Sequence, residues 1–277
     1  MISQNIFSTI FIIPTLNLLV LFFTVFTAIK MPGAFGFSII ALVLLVRALL
    51  HPFFVKQMET QKKMQDLKPH IDKIQAKHKK DPKRLQEEQM RLYKEAGLNP
   101  ASGCLTMLIQ LPVFIGLYST LSTFLTHGTS AKTIAEINKI LYVPALKIQS
   151  IDPNFFGFNL ALSPQQATGQ WQYYLVPVVT GLLQYAQAKY ATPMGSPAPA
   201  IEEPKKAGKK NGKELAKVEE KKQDTTGDFQ KALNLQMKYF FPLMIGYFAY
   251  TLPVGLALYW NIFSIFSILQ YRNVNKN

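Results

Sequence analysis

Charge is missing from long parts of this chain. Residues 1–29, 96–131, 153–188 and 239–271 contain no Asp, Glu, Lys or Arg, and each of the last three runs for about 33–36 residues. A hydrocarbon core about 30 Å thick is crossed by roughly 20 residues of apolar helix, so each of these three has room for a span. Cysteine is nearly absent as well. The lone Cys104 excludes a disulfide framework and a Cys-rich metal site. The four histidines, His51, His70, His78 and His127, are scattered, with no H-E-x-x-H pair and no metal-ligand spacing. There is no glycine-rich phosphate loop. No catalytic constellation, metal site or cofactor site emerges, and an enzyme is not expected. The opening residues Met1 to Asn5 lack a positive n-region, so a cleaved signal peptide is not expected either.

What is present is apolar sequence and concentrated positive charge. The 277 residues are 49% hydrophobic with a net charge of +14. In a soluble protein that charge would point to nucleic acid. Here it is confined to blocks between apolar runs, the pattern of an all-α polytopic membrane protein. Residues 56–95 hold twelve Lys/Arg and seven Asp/Glu, residues 189–238 hold eleven Lys/Arg, and residues 126–170 hold three. The positive-inside rule puts the two rich blocks in the cytoplasm. Lys238 and Arg272 flank the last apolar run on the same side, so that run crosses twice. As a single helix its 33 residues would be about 50 Å long, far more than the core, and Pro253 and Gly255 sit near its middle. The expected fold has five transmembrane helices, N-terminus outside and C-terminus inside.

The expected organisation follows. Residues 1–30 form an N-terminal helix at the interface; they are apolar enough to span, but Lys30 and Met31-Pro32-Gly33 leave little loop before the next helix. Residues 36–55 form the first span and 56–98 a cytoplasmic helical hairpin. In that hairpin Met64, Leu67, Ile71 and Ile74 make one apolar stripe, Pro69 should kink the first helix, and Pro82 opens the second, which Leu85, Leu92 and Ala96 continue. Residues 101–125 are the second span, 126–170 an extracytoplasmic loop and 171–188 the third span, with Trp171, Tyr173 and Tyr174 expected as an aromatic belt. Residues 189–236 read as a basic, solvated linker, 237–271 as a short two-helix membrane hairpin and 272–277 as a cytoplasmic tail.

One charge breaks the apolar pattern. Arg47 lies inside the run Gly36–Phe54, about 16 Å of helix from Gly36. A guanidinium at a helix centre in hydrocarbon costs roughly 2.5–3.5 kcal/mol, and it does not shed that cost by deprotonating. The run contains no acid to pair with it. From mid-depth, reaching the headgroups is strained, so Arg47 is expected to face water or a polar substrate. Gln110, Gln184 and Gln187 are further polar residues within spans; each fits helix–helix hydrogen bonding as well as substrate contact. Trp260 fits packing or a groove wall, and His51, four residues beyond Arg47, fits an interface residue or a proton relay.

Several short segments, in order, resemble the YidC/Oxa/Alb family of membrane protein insertases. They are Gly36-Phe37-Ser38 ahead of Arg47, Leu67-Lys68-Pro69 through Ile74, and Lys94 through Cys104 followed by Ile109-Gln110-Leu111-Pro112 and Tyr118. Leu252-Pro253-Val254-Gly255-Leu256, with Leu258-Tyr259-Trp260 and Gln270, completes the set, which covers about residues 5–275. Two positions depart from the family pattern: Thr106 stands where Pro is common, and Ser264 where Asn is common. No segment between 31 and 35 has room for the large extracytoplasmic domain of some members, and no Cys near residue 20 offers a lipid anchor. The resemblance implies an insertase and folding helper of the bacterial inner membrane, working without ATP through a positively charged groove open to cytoplasm and lipid. Arg47 matches the family's groove arginine, with Gln187, Gln184, Gln110 and Trp260 as further groove residues. The implied partners are nascent membrane proteins, membrane lipids, and the ribosome and Sec translocon. A transporter or channel is the first alternative, though paired intramembrane acids and inverted repeats are not found. A membrane scaffold is the second.

Overall fold

The computed structural model describes residues 5–78, 81–98, 112, 114–125, 130–191 and 239–274. These are mostly helical, as expected of an all-α membrane protein. Helix α1 (Ser8–Ala28) begins with a π-helical turn over Ser8–Ile12 and has a mean hydropathy of 2.3. The chain then reverses through Lys30 and Gly33, both with positive φ, into α2 (Ala34–Leu49). The apolar run 36–54 does not make one straight helix. It breaks at Leu50, and α3 (His51–Asp66) leaves α2 at 64°. The physical reason is Pro52, which has no N–H to offer the carbonyl of Ala48. Hydropathy read the run as continuous because it does not register the backbone.

Past α3, the chain breaks again at Leu67, just before Pro69, and resumes as α4 (Lys68–Lys77). The carboxylate of Asp81 accepts from the Arg84 N–H at 3.1 Å and caps α5 (Pro82–Glu95). Helices α4 and α5 pack together, with Ile71, Gln89 and Tyr93 buried. Ile71 is the most deeply buried residue of the apolar stripe, whereas Ala96 is exposed.

Helix α6 (Phe114–Leu125) is a short apolar helix within the stretch 101–125 expected as the second span. The segment from 130 to 174 folds into a cap rather than an open loop. Ser130 caps α7 (Ala131–Lys139), and Asn138 bonds Ile148 through both its N–H and its carbonyl side. A two-stranded hairpin pairs β1 (Asn154–Phe155) with β2 (Phe158–Asn159), turning through Phe156 and Gly157. The cap grips the ends of three helices. Phe155 lies against Gly33 and Gly36 at the start of α2, and the Val254 and Gly255 N–H groups donate to the carbonyls of Leu162 and Leu160. The Gln165 N–H donates to Tyr250 O.

Helix α8 (Leu175–Ala191) packs closely on α9 (Phe241–Thr251) and α10 (Val254–Val274). The α8–α9 crossing is made by two glycines: a Cβ on Gly246 would lie 3.7 Å from Gly181 Cα and 3.3 Å from Pro177 O. Small residues let helix backbones approach where lipid supplies no hydrophobic drive. The chain turns at Leu252-Pro253, between α9, which continues back through Tyr239 and Phe240, and the twenty-one residues of α10. By length and composition Ser8–Ala28 and Val254–Arg272 can each cross a membrane, and the bent α2–α3 pair makes a third candidate. Val178 and Leu182 of α8 and Leu243 and Tyr247 of α9 are exposed apolar side chains of the kind that face lipid.

Candidate functional site

Arg47 lies one helical turn before the break at Leu50 and is only 3% exposed. All of its polar partners come from α10. Its Nη1 donates to Gln270 Oε1 at 3.0 Å, and its Nη2 donates to the carbonyl of Phe263 at 2.9 Å and to Ser267 Oγ. The guanidinium carbon is 3.8 Å from the Phe263 ring centroid and 4.4 Å from that of Phe54. Every acceptor is neutral. Among the described residues the one ion pair is the exposed Arg91–Glu95 pair on α5, so no carboxylate offsets the buried cation. Arg47 Nε is buried and has no partner. A small pocket of about 10 Å³, room for about one water, adjoins the guanidinium and is lined by Val43, Val46, Leu50, Leu117, Tyr259 and Phe263, among others.

Position along the helices follows from the cap. Gly36 of α2 and Gly255 of α10 both touch it. Arg47 is eleven residues past the first and Ser267 twelve past the second, about 16–18 Å of helix in each case. Arg47 and its partners on α10 thus lie at similar distances from the cap, with the α3–α5 segment leading away beyond the Arg47 end of α2.

The other expected site residues are distributed differently. Gln184 on α8 accepts from Ser264 Oγ on α10 at 3.3 Å, a helix–helix bond, and Ser264 itself is buried. Gln187, one turn along, has a buried Oε1 with no partner, as does Oδ1 of Asn261 on α10. Trp260 is 9% exposed and stacks on Phe114 at 6.1 Å and 9°, inside the apolar core. It does not line the Arg47 pocket. Gln110 and Thr106 lie outside the described residues. His51, at the start of α3, places Nδ1 3.1 Å from Gln270 Nε2. The aromatic belt needs correction at one member. Trp171 and Tyr174 are exposed, but Tyr173 is 1% exposed, packs on Phe158, and accepts the Asn159 N–H at 2.7 Å. No group of three His, Cys, Asp or Glu residues suited to a metal occurs among the described residues.

Phe54, Phe263, Ser267 and the role of Gln270 were not anticipated from sequence. A signal was available: Ser264, Ser267 and Gln270 recur every three residues in an otherwise apolar helix, a polar stripe along α10.

The profile of the 60Kd inner membrane protein family matches residues 25–277. Inner membrane protein ALBINO3 of Arabidopsis thaliana chloroplasts is 31% identical over 250 residues, 90% of this chain and 48% of that protein. Membrane protein insertase YidC of Oceanobacillus iheyensis is 29% identical over 281 residues, 99% of this chain and 85% of that protein. That of Streptomyces avermitilis is 32% identical over 254 residues, 88% of this chain and 52% of that protein. The chain thus spans about half the length of the chloroplast and Streptomyces relatives. With a profile match over most of its length and relatives at about 30% identity, this chain belongs to the 60Kd inner membrane protein family, the YidC/Oxa/Alb group.

Proposed function

We propose that this protein is a membrane protein insertase, not an enzyme, that inserts nascent membrane proteins and helps them fold. The observation that carries the reading is Arg47: a buried guanidinium matched by neutral acceptors alone. A client's polar, acidic tail must cross before its apolar segment can settle, and desolvation of that tail is the barrier. A positive groove, opening to the cytoplasm and to lipid and closed by the cap on the outside, attracts carboxylates and lowers that barrier. Burial of the client's apolar segment in lipid then drives the step without ATP. The unpartnered Gln187 Oε1 supports a groove role for that residue, with Gln184, Gln110 and Trp260 as weaker members.

In this reading five spans run N-out, C-in through the bacterial inner membrane: 36–55, 101–125, 171–188 and the two helices of 237–271. The hairpin 56–98 guides the client from the cytoplasm. The basic linker 189–236 and the tail 272–277 touch anionic lipid or the ribosome, and the Sec translocon is a further partner. Helix α1 lies obliquely at the outer face. Two contacts support this. Asn17, midway along α1, donates to Ile140 O at 3.2 Å and accepts from the Tyr142 N–H at 2.7 Å, both in the cap. The first turn of α1 meets α6 at Gly116 and Thr120, no deeper than about 14 Å from Leu125. A helix about 31 Å long that gains so little depth is steeply tilted.

A photocrosslinking side chain at position 187 tests the proposal. Against a stalled nascent membrane protein, crosslinks are expected from 187 and absent from 243, where the native Leu is 74% exposed on α9. Equal crosslinking from both positions, or none from 187, would count against a groove.

A further inference from the structure

Resting on the insertase reading, we infer that α10 carries a latch for Arg47. Gln270 and Ser267 are positioning residues that hold the guanidinium against α10, and an acidic client segment has to displace them to reach it. Four observations converge on this. Both terminal nitrogens of Arg47 are engaged by α10, at Gln270 Oε1, Ser267 Oγ and the Phe263 carbonyl. The Phe263 and Phe54 rings lie against the guanidinium. The adjoining pocket, about 10 Å³, is far too small for a peptide segment. Nε remains a buried donor without a partner, so the latch leaves part of the cation's bonding capacity open.

The latch is selective by its chemistry. Its acceptors are an amide, a hydroxyl and a carbonyl, all uncharged. A carboxylate bonds a guanidinium through two parallel, charge-assisted hydrogen bonds, roughly twice as strong as neutral ones. An acidic client side chain therefore wins the exchange, whereas a client amide or hydroxyl only matches what Arg47 already has. Clients without an acid near the crossing segment leave the latch closed.

The latch is also tied to the bend below it. Gln270 Nε2 meets His51 Nδ1 at 3.1 Å, which fixes the amide with its oxygen towards Arg47. His51 is the first residue of α3, immediately past the 64° break at Leu50. A movement of α3 that withdraws His51 frees the amide to turn, and its NH₂ group cannot accept from Arg47. The orientation of α3 thus bears on whether the latch is set.

The test reads the latch without any client. In the full-length protein in nanodiscs, with Cys104→Ser, a thiol is placed in the pocket wall by Val46→Cys and its reaction with a small water-soluble thiosulfonate is timed. Gln270→Leu and Ser267→Ala together should speed labelling about tenfold or more, the order expected for two lost bonds to a charged group. Gln270→Glu should slow it several-fold, because the new carboxylate pairs with Arg47 and locks the site. A thiol at Leu19, 0% exposed and outside the pocket lining, should stay unreactive throughout, which separates release of the latch from loss of fold. Opposite responses of the Leu and Glu variants support the latch. Equal labelling in all three proteins, or faster labelling in Gln270→Glu, overturns it. A protein that shows the opposed labelling pattern yet inserts no client would refute the insertase reading and leave the latch standing.

Discussion

One tight contact between the cap and α2 yields a prediction in which a substitution reverses sign. A Cβ built on Gly36 would lie 2.2, 2.4 and 2.7 Å from three atoms of the Phe155 ring. Ordinary contact begins near 3.4 Å, so the ring must move by about 1 Å, and overpacking of this kind costs about 1–3 kcal/mol. Moving the ring also weakens its edge-on contact with Phe37, now at 5.3 Å, a pair worth about 0.5–1.5 kcal/mol. Against this stands helix propensity, which favours Ala over Gly in α2 by about 1 kcal/mol. Gly36→Ala in the native background should therefore destabilise by about 1–3 kcal/mol. In a Phe155→Ala background the obstacle is gone and the same change should stabilise by about 1 kcal/mol. The assay is a double-mutant cycle on denaturant or thermal unfolding in one detergent, with a coupling of at least about 1 kcal/mol expected. If Gly36→Ala stabilises the protein in both backgrounds, the hairpin does not sit on α2.

Two further substitutions probe how the helices are held. Asn17→Leu removes both bonds between α1 and residues 140–142 and leaves the Ile140 carbonyl and Tyr142 N–H unpaired; a loss of about 1–3 kcal/mol is expected, with faster proteolysis of the cap. Gly246→Val places branched carbons where Pro177 O and Gly181 Cα already lie at 3.3 and 3.7 Å, and it should lower the thermal midpoint in detergent by separating α8 from α9. An unchanged midpoint would mean that the glycine crossing is not needed.

The helices were legible because hydrophobic runs and Lys/Arg blocks are coarse signals that survive without any tertiary information. Arg47 stood out for the same reason: a single charge in an apolar run is visible without knowing its partners. The partners themselves were hidden, since Phe263 and Gln270 are 216 and 223 residues away in sequence. The spacing of Ser264, Ser267 and Gln270 marks a polar face but not what it faces. The break at Leu50 was written in Pro52, yet the apolar residues that continue to Phe54 outweighed it. Tyr173 and its neighbours Trp171 and Tyr174 read alike, and only the fold of the cap separates the ring that seals β2 from the two that remain exposed. Asn17 is an isolated polar residue in an apolar helix, and only the fold shows that it bonds the cap at Ile140 and Tyr142.

The central claim is that the charge on Arg47 helps acidic client segments cross. Near the guanidinium a carboxylate at 4 Å gains about 1 kcal/mol in water and about 4 kcal/mol in a protein-like medium. Purified protein in liposomes, without ATP, is supplied with a single-spanning client whose translocated tail is acidic, and protease protection of the tail is scored. Insertion by the native protein should fall about fivefold or more in Arg47→Ala and persist in Arg47→Lys. Insertion that proceeds equally well in Arg47→Ala would contradict the account.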